Sequence, residues 1–175
     1  MPGDPTALLL DRAEISDVVH RYARAIDLLD AELFRSCFTE RVDIDFSSMG
    51  AGRHAAIAVD AWIEQVYAGM GGFDATHHVS SNHMHELRGD RATCVSYLVA
   101  EHFLFEDAGE RSLTLGGHYT NQLVRTLAGW KICASTLTVT WHRGSLALFA
   151  ESRERYHARQ GSRPASARRP WPGAT

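Results

Sequence analysis

Residues 76–88, 91–106, 111–127 and 130–142 form four consecutive β-type runs, and the segments between them are too short to hold a helix. Gly89-Asp90, Asp107-Ala108-Gly109-Glu110 and Ala128-Gly129 are turn sequences. Parallel neighbours would need a crossover of about a dozen residues or more, so the runs predict an antiparallel meander. A sheet of strands this long must twist and bend, and its concave side needs a cover.

The N-terminal part supplies that cover. Between Asp11 and Cys37 the apolar residues Ile15, Val18, Val19, Tyr22, Ala23, Ile26, Leu29, Leu33 and Phe34 recur at three and four, the period of a helix. Asp30 interrupts the pattern and is placed to cap a second, short helix. Arg41-Val42-Asp43-Ile44-Asp45-Phe46 alternates strictly and predicts a half-buried strand. Residues 55–70 predict a third helix, stopped by Gly71-Gly72, and Leu146 to about Arg159 a last one. Helices first and a long curved sheet afterwards define an α+β domain. Residues 1–158 are assigned to it, and 159–175, rich in Pro, Ser and Arg, to a disordered basic tail. The space between helices and sheet is a cone, open at one end and suited to a small molecule.

Charge and composition exclude several classes. The net charge is −3, and the four arginines of the tail leave −7 on the body. An acidic body is a poor partner for nucleic acid, because phosphate binding needs a basic face. No apolar run is long enough to span a bilayer. The opening Met1-Pro2-Gly3-Asp4-Pro5 lacks the basic-then-apolar pattern of a secretory leader. Cys37, Cys94 and Cys133 are odd in number, far apart and set among apolar residues, as free thiols of a reducing compartment are. A cytoplasmic location is expected.

Asp27 and His78 are the leading candidates for chemistry. Asp27 is set in Ala25-Ile26-Asp27-Leu28-Leu29, apolar on both sides, and His78 opens the polar stretch His78-Val79-Ser80-Ser81-Asn82-His83. A carboxylate that orients an imidazole is a simple proton-abstraction device. Period two places His78, Ser80, Asn82 and Met84 on one face of the first run, and His77, Val79, Ser81, His83 and His85 on the other. On the second run it sets Val95, Tyr97, Val99, Phe103 and Phe105 against Cys94, Leu98, Ala100 and His102. On the third, Leu113, Leu115, Tyr119, Asn121 and Leu123 oppose Thr114, His118, Thr120 and Val124. On the fourth, Leu137, Val139 and Trp141 oppose Ile132, Thr136, Thr138 and His142.

These residues carry a resemblance. The chain resembles the SnoaL-like branch of the nuclear-transport-factor-2 (NTF2) superfold, which includes scytalone dehydratase and hexachlorocyclohexane dehydrochlorinase. The likeness lies in Asp11-Arg12-Ala13-Glu14-Ile15-Ser16-Asp17, Tyr22 and Asp27, Thr76-His77-His78-Val79-Ser80-Ser81-Asn82, Gly116-Gly117-His118-Tyr119-Thr120-Asn121 and Gly129-Trp130-Lys131. It implies an NTF2-like cone over about residues 8–158. It also implies that Asp27 is the family's helix carboxylate, His78 the histidine it orients, and His102 the second pocket histidine. Asn121, or Tyr119 beside it, would contact a substrate oxygen; Tyr22 would line the mouth, and Trp141 is a further substrate contact. The dehydrochlorinase carries a basic residue after the Trp-Lys pair, whereas Cys133-Ala134-Ser135-Thr136 offers none; halide elimination is not expected. The chemistry so implied needs no cofactor: His78 removes a proton next to a carbonyl while His102 or Asn121 holds the enolate oxygen, as in a dehydratase, isomerase or cyclase acting on a small hydrophobic, oxygenated substrate.

Blander readings compete with these. A fold of this kind hosts binding proteins as well as enzymes, so an inert ligand-binding cone and a β-subunit-like partner of a ring-hydroxylating oxygenase are the alternatives. The stripe Phe103, Phe105, Trp141 also fits core or a contact between subunits, as in a homodimer or homotrimer. His83 and His85, with His118 and His142, raise the question of a metal, but no HxxxH, cysteine pair or suitably spaced Glu completes a known ligand set. No metal is expected. Gly116-Gly117 sits inside a β-run with no following helix, and predicts a strand bend or bulge.

Overall fold

The computed structural model describes residues 5–160, in the order α1 (Pro5–Leu28), α2 (Ala31–Cys37), β1 (Phe38–Asp45), β2 (Arg53–Ala58), α3 (Val59–Met70), β3 (Ala75–Arg88), β4 (Arg91–Glu106), β5 (Gly109–Thr126), β6 (Gly129–Gly144) and α4 (Leu148–Gln160). The six strands form one sheet in the order β2-β1-β6-β5-β4-β3. β3 to β6 are the predicted antiparallel meander. The pair β1–β6 is parallel, because α3 and the whole meander lie between the two in the chain. Helices on one side of a curved, mainly antiparallel sheet make the α+β architecture expected of the sequence.

α1 is a helix because its apolar residues fall on one stripe: Ile15, Val18, Val19, Tyr22, Ala25 and Ile26 are all buried. Asp30 caps α2, its Oδ1 accepting from the backbone N–H of Leu33 at 2.9 Å. Asp11 ties α1 to the sheet, accepting from Trp130 Nε1 at 3.2 Å and from Arg125 at 2.7 Å. The core is one cluster between helices and sheet, with Phe34, Phe73, Leu104, Leu113 and Ile132 fully buried. Gly72 lets α3 approach α4: a Cβ there would lie 1.8 Å from the carbonyl oxygen of Ser152.

Several expectations are corrected. The third helix begins at Val59, and Ala55–Ala58 belong to β2, where the N–H of Ala56 bonds to Asp43 Oδ1 at 2.7 Å. In β3, Asn82 adopts a left-handed conformation (φ 53°), and the pairing with β4 slips by one residue between Ser81 and Met84. A bulge inverts every later side chain. His83 and His85 therefore join His78 and Ser80 on the helix-covered face, while Met84 turns outward and is 59% exposed. β6 slips opposite Gln122/Leu123, so Ile132 and Leu137, expected on opposite faces, are both buried. It slips again opposite Gly116/Gly117, the bulge expected there. α4 reaches Gln160, and Arg159, assigned to the tail, is helical and bonded to Asp74. The rest of the expected tail, 161–175, lies outside the described residues.

Candidate active site

Asp27 is in the last turn of α1 and His78 is near the start of β3, and the two meet. His78 Nδ1 lies 2.7 Å from Asp27 Oδ1, the His78 backbone N–H donates to Oδ2 at 2.9 Å, and the Thr76 hydroxyl donates to Oδ1 at 2.8 Å. Burial alone would raise the Asp27 pKa. The hydrogen bonds and charge of His78, with Thr76, outweigh it and hold the carboxyl below its usual range. Asp27 is therefore a carboxylate, which only accepts, so Nδ1 of His78 must carry its proton. In the neutral imidazole that tautomer leaves Nε2 of His78 as a lone pair. Sequence reasoning paired Asp27 with His78 but overlooked Thr76, whose hydroxyl donates to the same carboxylate oxygen as the His78 ring.

His78 lines a cavity of about 400 Å³ under the helices, together with Tyr22, Ile26, Trp62, Leu98, His102, Leu115, Tyr119 and Leu137. His102 is 1% exposed and packs edge-on to His78, ring centres 5.6 Å apart. Its Nδ1 is 3.0 Å from the carbonyl oxygen of Leu113. A carbonyl cannot donate, so in neutral His102 the proton is on Nδ1 and Nε2 accepts. The ring cannot then donate to an enolate oxygen through Nε2, unlike the role expected of it.

Two phenols line the cavity. Burial pushes the Tyr22 hydroxyl well above its ordinary pKa and that of Tyr119 up to about 12, so both keep their protons at neutral pH. Tyr119 and Trp62 are near enough to Tyr22 to influence its ionisation, yet Tyr22 Oη and Trp62 Nε1 are buried with no well-formed hydrogen bond among the described residues. An oxygen atom entering the cavity would satisfy them. At the mouth stand His54, Gln65 and the exposed Arg153, none of which the sequence singled out.

Two expected contacts lie elsewhere. Asn121 is fully buried outside the cavity lining, accepting from Ser135 at 2.7 Å. Trp141 is half-exposed on the outer face, its ring over Gly116, where a Cβ would stand 1.9 Å from it. The β6 bulge opposite Gly116/Gly117 sends it there. His77 is exposed on the outer face, as the alternation predicts.

Comparison with known proteins agrees with this architecture. The profile of the SnoaL-like domain matches residues 7–136. Terrestric acid biosynthesis cluster protein E of Penicillium crustosum is 26% identical over 156 residues, which cover 86% of this chain and 97% of that protein. The crystal structure of the Kfla4162 protein from Kribbella flavida superposes with a TM-score of 0.76 at 31% identity, covering 82% of this chain and 99% of that one. Hexachlorocyclohexane dehydrochlorinase LinA-type3 from Novosphingobium barchaimii LL02 shares the fold, with a TM-score of 0.66 at 14% identity over 81% of this chain and 94% of its own.

Proposed function

This chain belongs to the SnoaL-like domain family, and we propose that it is a cofactor-independent lyase or isomerase using the Asp27–His78 dyad. The observation that carries the reading is the 2.7 Å contact between Asp27 and the ring of His78, a residue that lines the cavity. Nε2 takes a proton from the carbon beside a substrate carbonyl, and the electron pair moves onto the carbonyl oxygen. The hydroxyls of Tyr22 and Tyr119 donate to that oxygen as charge develops. Asp27 stabilises the imidazolium that forms. Return of the proton at another carbon is isomerisation, loss of a β-hydroxyl is dehydration, and attack on a second carbonyl closes a ring. The lining is mostly apolar with a few convergent polar groups, which fits a small hydrophobic, oxygenated molecule of aromatic or polyketide type. The similarity to a terrestric acid biosynthesis cluster protein supports a role in the biosynthesis of a small molecule.

Deuterium uptake from D₂O into a panel of enolisable and β-hydroxy carbonyl compounds tests the proposal. Uptake catalysed by the wild type and lost in His78→Gln is expected. Compounds that bind in the cavity yet exchange no faster than in buffer would establish the ligand-binding alternative instead.

The outer sheet face supports a second point. Val79, Tyr97, Val99 and Trp141 are 39–53% exposed together on β3, β4 and β6, an apolar strip of the kind subunits bury. We propose a homodimer or homotrimer closed through this face. Light scattering of the wild type and of Tyr97→Glu decides it: a monomeric wild type removes this reading.

A further inference from the structure

The bulge at Asn82 creates a second cluster of functional groups, separate from the cavity. His83 and His85 of β3 and Cys94 of β4 have ligand atoms all within 4.8 Å of one another. None of the three lines the cavity that holds His78. Ser16 of α1 stands over them, its hydroxyl 3.0 Å from His83 Nδ1 and 2.9 Å from His85 Nε2. We propose that His83, His85 and Cys94 form a binding site for a zinc-class divalent cation.

The ligand chemistry is that of borderline-soft metals. Two imidazoles and a thiolate bind such ions with metal–nitrogen distances of about 2.0–2.1 Å and metal–sulfur of about 2.3 Å, so neighbouring ligand atoms of a tetrahedron stand roughly 3.3–3.6 Å apart. The three atoms are therefore within about 1.5 Å of that geometry, a gap that side-chain rotation closes. Three protein ligands leave a fourth position open beside Ser16, and β3 is the edge strand of the sheet.

Two neighbouring groups point to the same centre. His85, Cys94, Asn121 and Ser135 form one register row across β3, β4, β5 and β6. His85 Nδ1 and Asn121 Nδ2 are both buried and have no hydrogen-bond partner among the described residues. A cation gives the first a bond. A thiolate at Cys94 gives the second an acceptor, since Asn121 Oδ1 is already engaged by Ser135. Buried orphan polar groups are few in folded proteins, and a pair flanking one thiol is most simply explained by a bound ion.

The protonation states suit capture. Burial, with His20 and His85 nearby, lowers the His83 pKa to about 4, and burial and Arg12 lower that of His85. Both imidazoles are neutral at pH 7, and His83, whose ring nitrogens contact Ser16 and Ser80, exchanges one of those contacts for the metal. Burial lifts Cys94 to about 11, so its proton leaves only as the metal enters. Arg12 opposes a cation, and the thiolate charge offsets it.

Cobalt(II) titration of the full chain after chelator treatment is the test. One equivalent should bind, with near-ultraviolet thiolate-to-cobalt absorption that zinc(II) abolishes by displacement and with release of one proton per ion at pH 7. Cys94→Ser should lose the absorption, whereas Cys37→Ser and Cys133→Ser should keep it. His85→Gln should keep the fold by circular dichroism and lose the zinc-dependent rise in melting temperature. Absence of the absorption in folded wild type, binding without proton release, or absorption that survives Cys94→Ser would each overturn the site. Because deuterium uptake reads the cavity and cobalt reads this cluster, either proposal can fail alone.

Discussion

Asp27→Asn is the perturbation that separates a working dyad from a decorative one. The carboxylate accepts three bonds, from the His78 ring, the His78 backbone N–H and the Thr76 hydroxyl. An amide of the same size keeps one acceptor oxygen and replaces the other with a donor. If its oxygen stays with the backbone N–H, its NH₂ faces Nδ1 of His78 and the imidazole must move its proton to Nε2. The base is then lost although the fold is kept. General-base catalysis is worth about 10²–10⁴-fold, so the rate of deuterium uptake should fall by that range. Stability should fall less sharply: hydrogen bonds to a charged group contribute about 1.5–3 kcal/mol each, but one or two survive and the Asp27 side chain keeps 19% exposure, so a net loss of about 2 kcal/mol is expected. The folded-state pKa of Asp27 is depressed, so its contribution is present above the ordinary carboxylate range and lost as pH falls below it. The stability gap between wild type and Asp27→Asn should therefore close on acidification below about pH 4. Nitrogen NMR of the His78 ring reads the tautomer directly, and urea denaturation reads stability. An unchanged tautomer with an unchanged exchange rate would refute the reasoning.

Other consequences are as open to measurement. Tyr119→Phe should slow deuterium uptake about 10²-fold with little change in melting temperature, the size of effect seen when one donor to an oxyanion is removed; an unaltered rate assigns the oxygen elsewhere. Asp74 is 1% exposed and accepts from Arg155, Arg159 and the N–H of Phe105, so Asp74→Ala should cost about 3–5 kcal/mol by urea unfolding. Gly72→Ala drives a Cβ into the Ser152 backbone and should cost about 1–3 kcal/mol, with α4 losing protection in hydrogen exchange. His83 stays neutral in the fold down to about pH 4 whereas an unfolded histidine protonates near 6.5. Protons therefore favour unfolding across that window, and metal-free wild type should lose stability between those values more steeply than His83→Gln.

Much of the architecture was legible because it rests on periodicity. The stripe Ile15, Val18, Val19, Tyr22 and Ile26, the cap at Asp30 and the turns at Gly89 and Gly129 each have a local physical cause. The meeting of Asp27 with His78 was legible through family resemblance, since nothing local brings residues 51 positions apart together. What alternation could not reveal was phase. A bulge adds one residue to one strand and leaves no apolar mark, so His83, His85, Ile132 and Trp141 were put on the wrong partners' side. Asn82 was the one available hint, because asparagine tolerates the left-handed region better than most residues. β2 escaped because Ala55, Ala56 and Ala58 favour a helix by propensity, and pairing with β1 overrides that preference. Asn121 was placed on the correct face, but a face says nothing about which stretch of it borders the cavity.

The kink at Asn82 has an evolutionary reading. Residues 75–81 pair with β4 in unbroken register, and so do residues 84–88 beyond the slip. A single codon gained or lost at that point would exchange the entire set of side chains that the distal half of the strand shows to α1, and leave the proximal half, with Thr76 and His78, where it is. The histidine of the dyad and the two histidines of the cluster thus sit on one strand on either side of the bulge, so a change of length there would move the second set and leave the first in place.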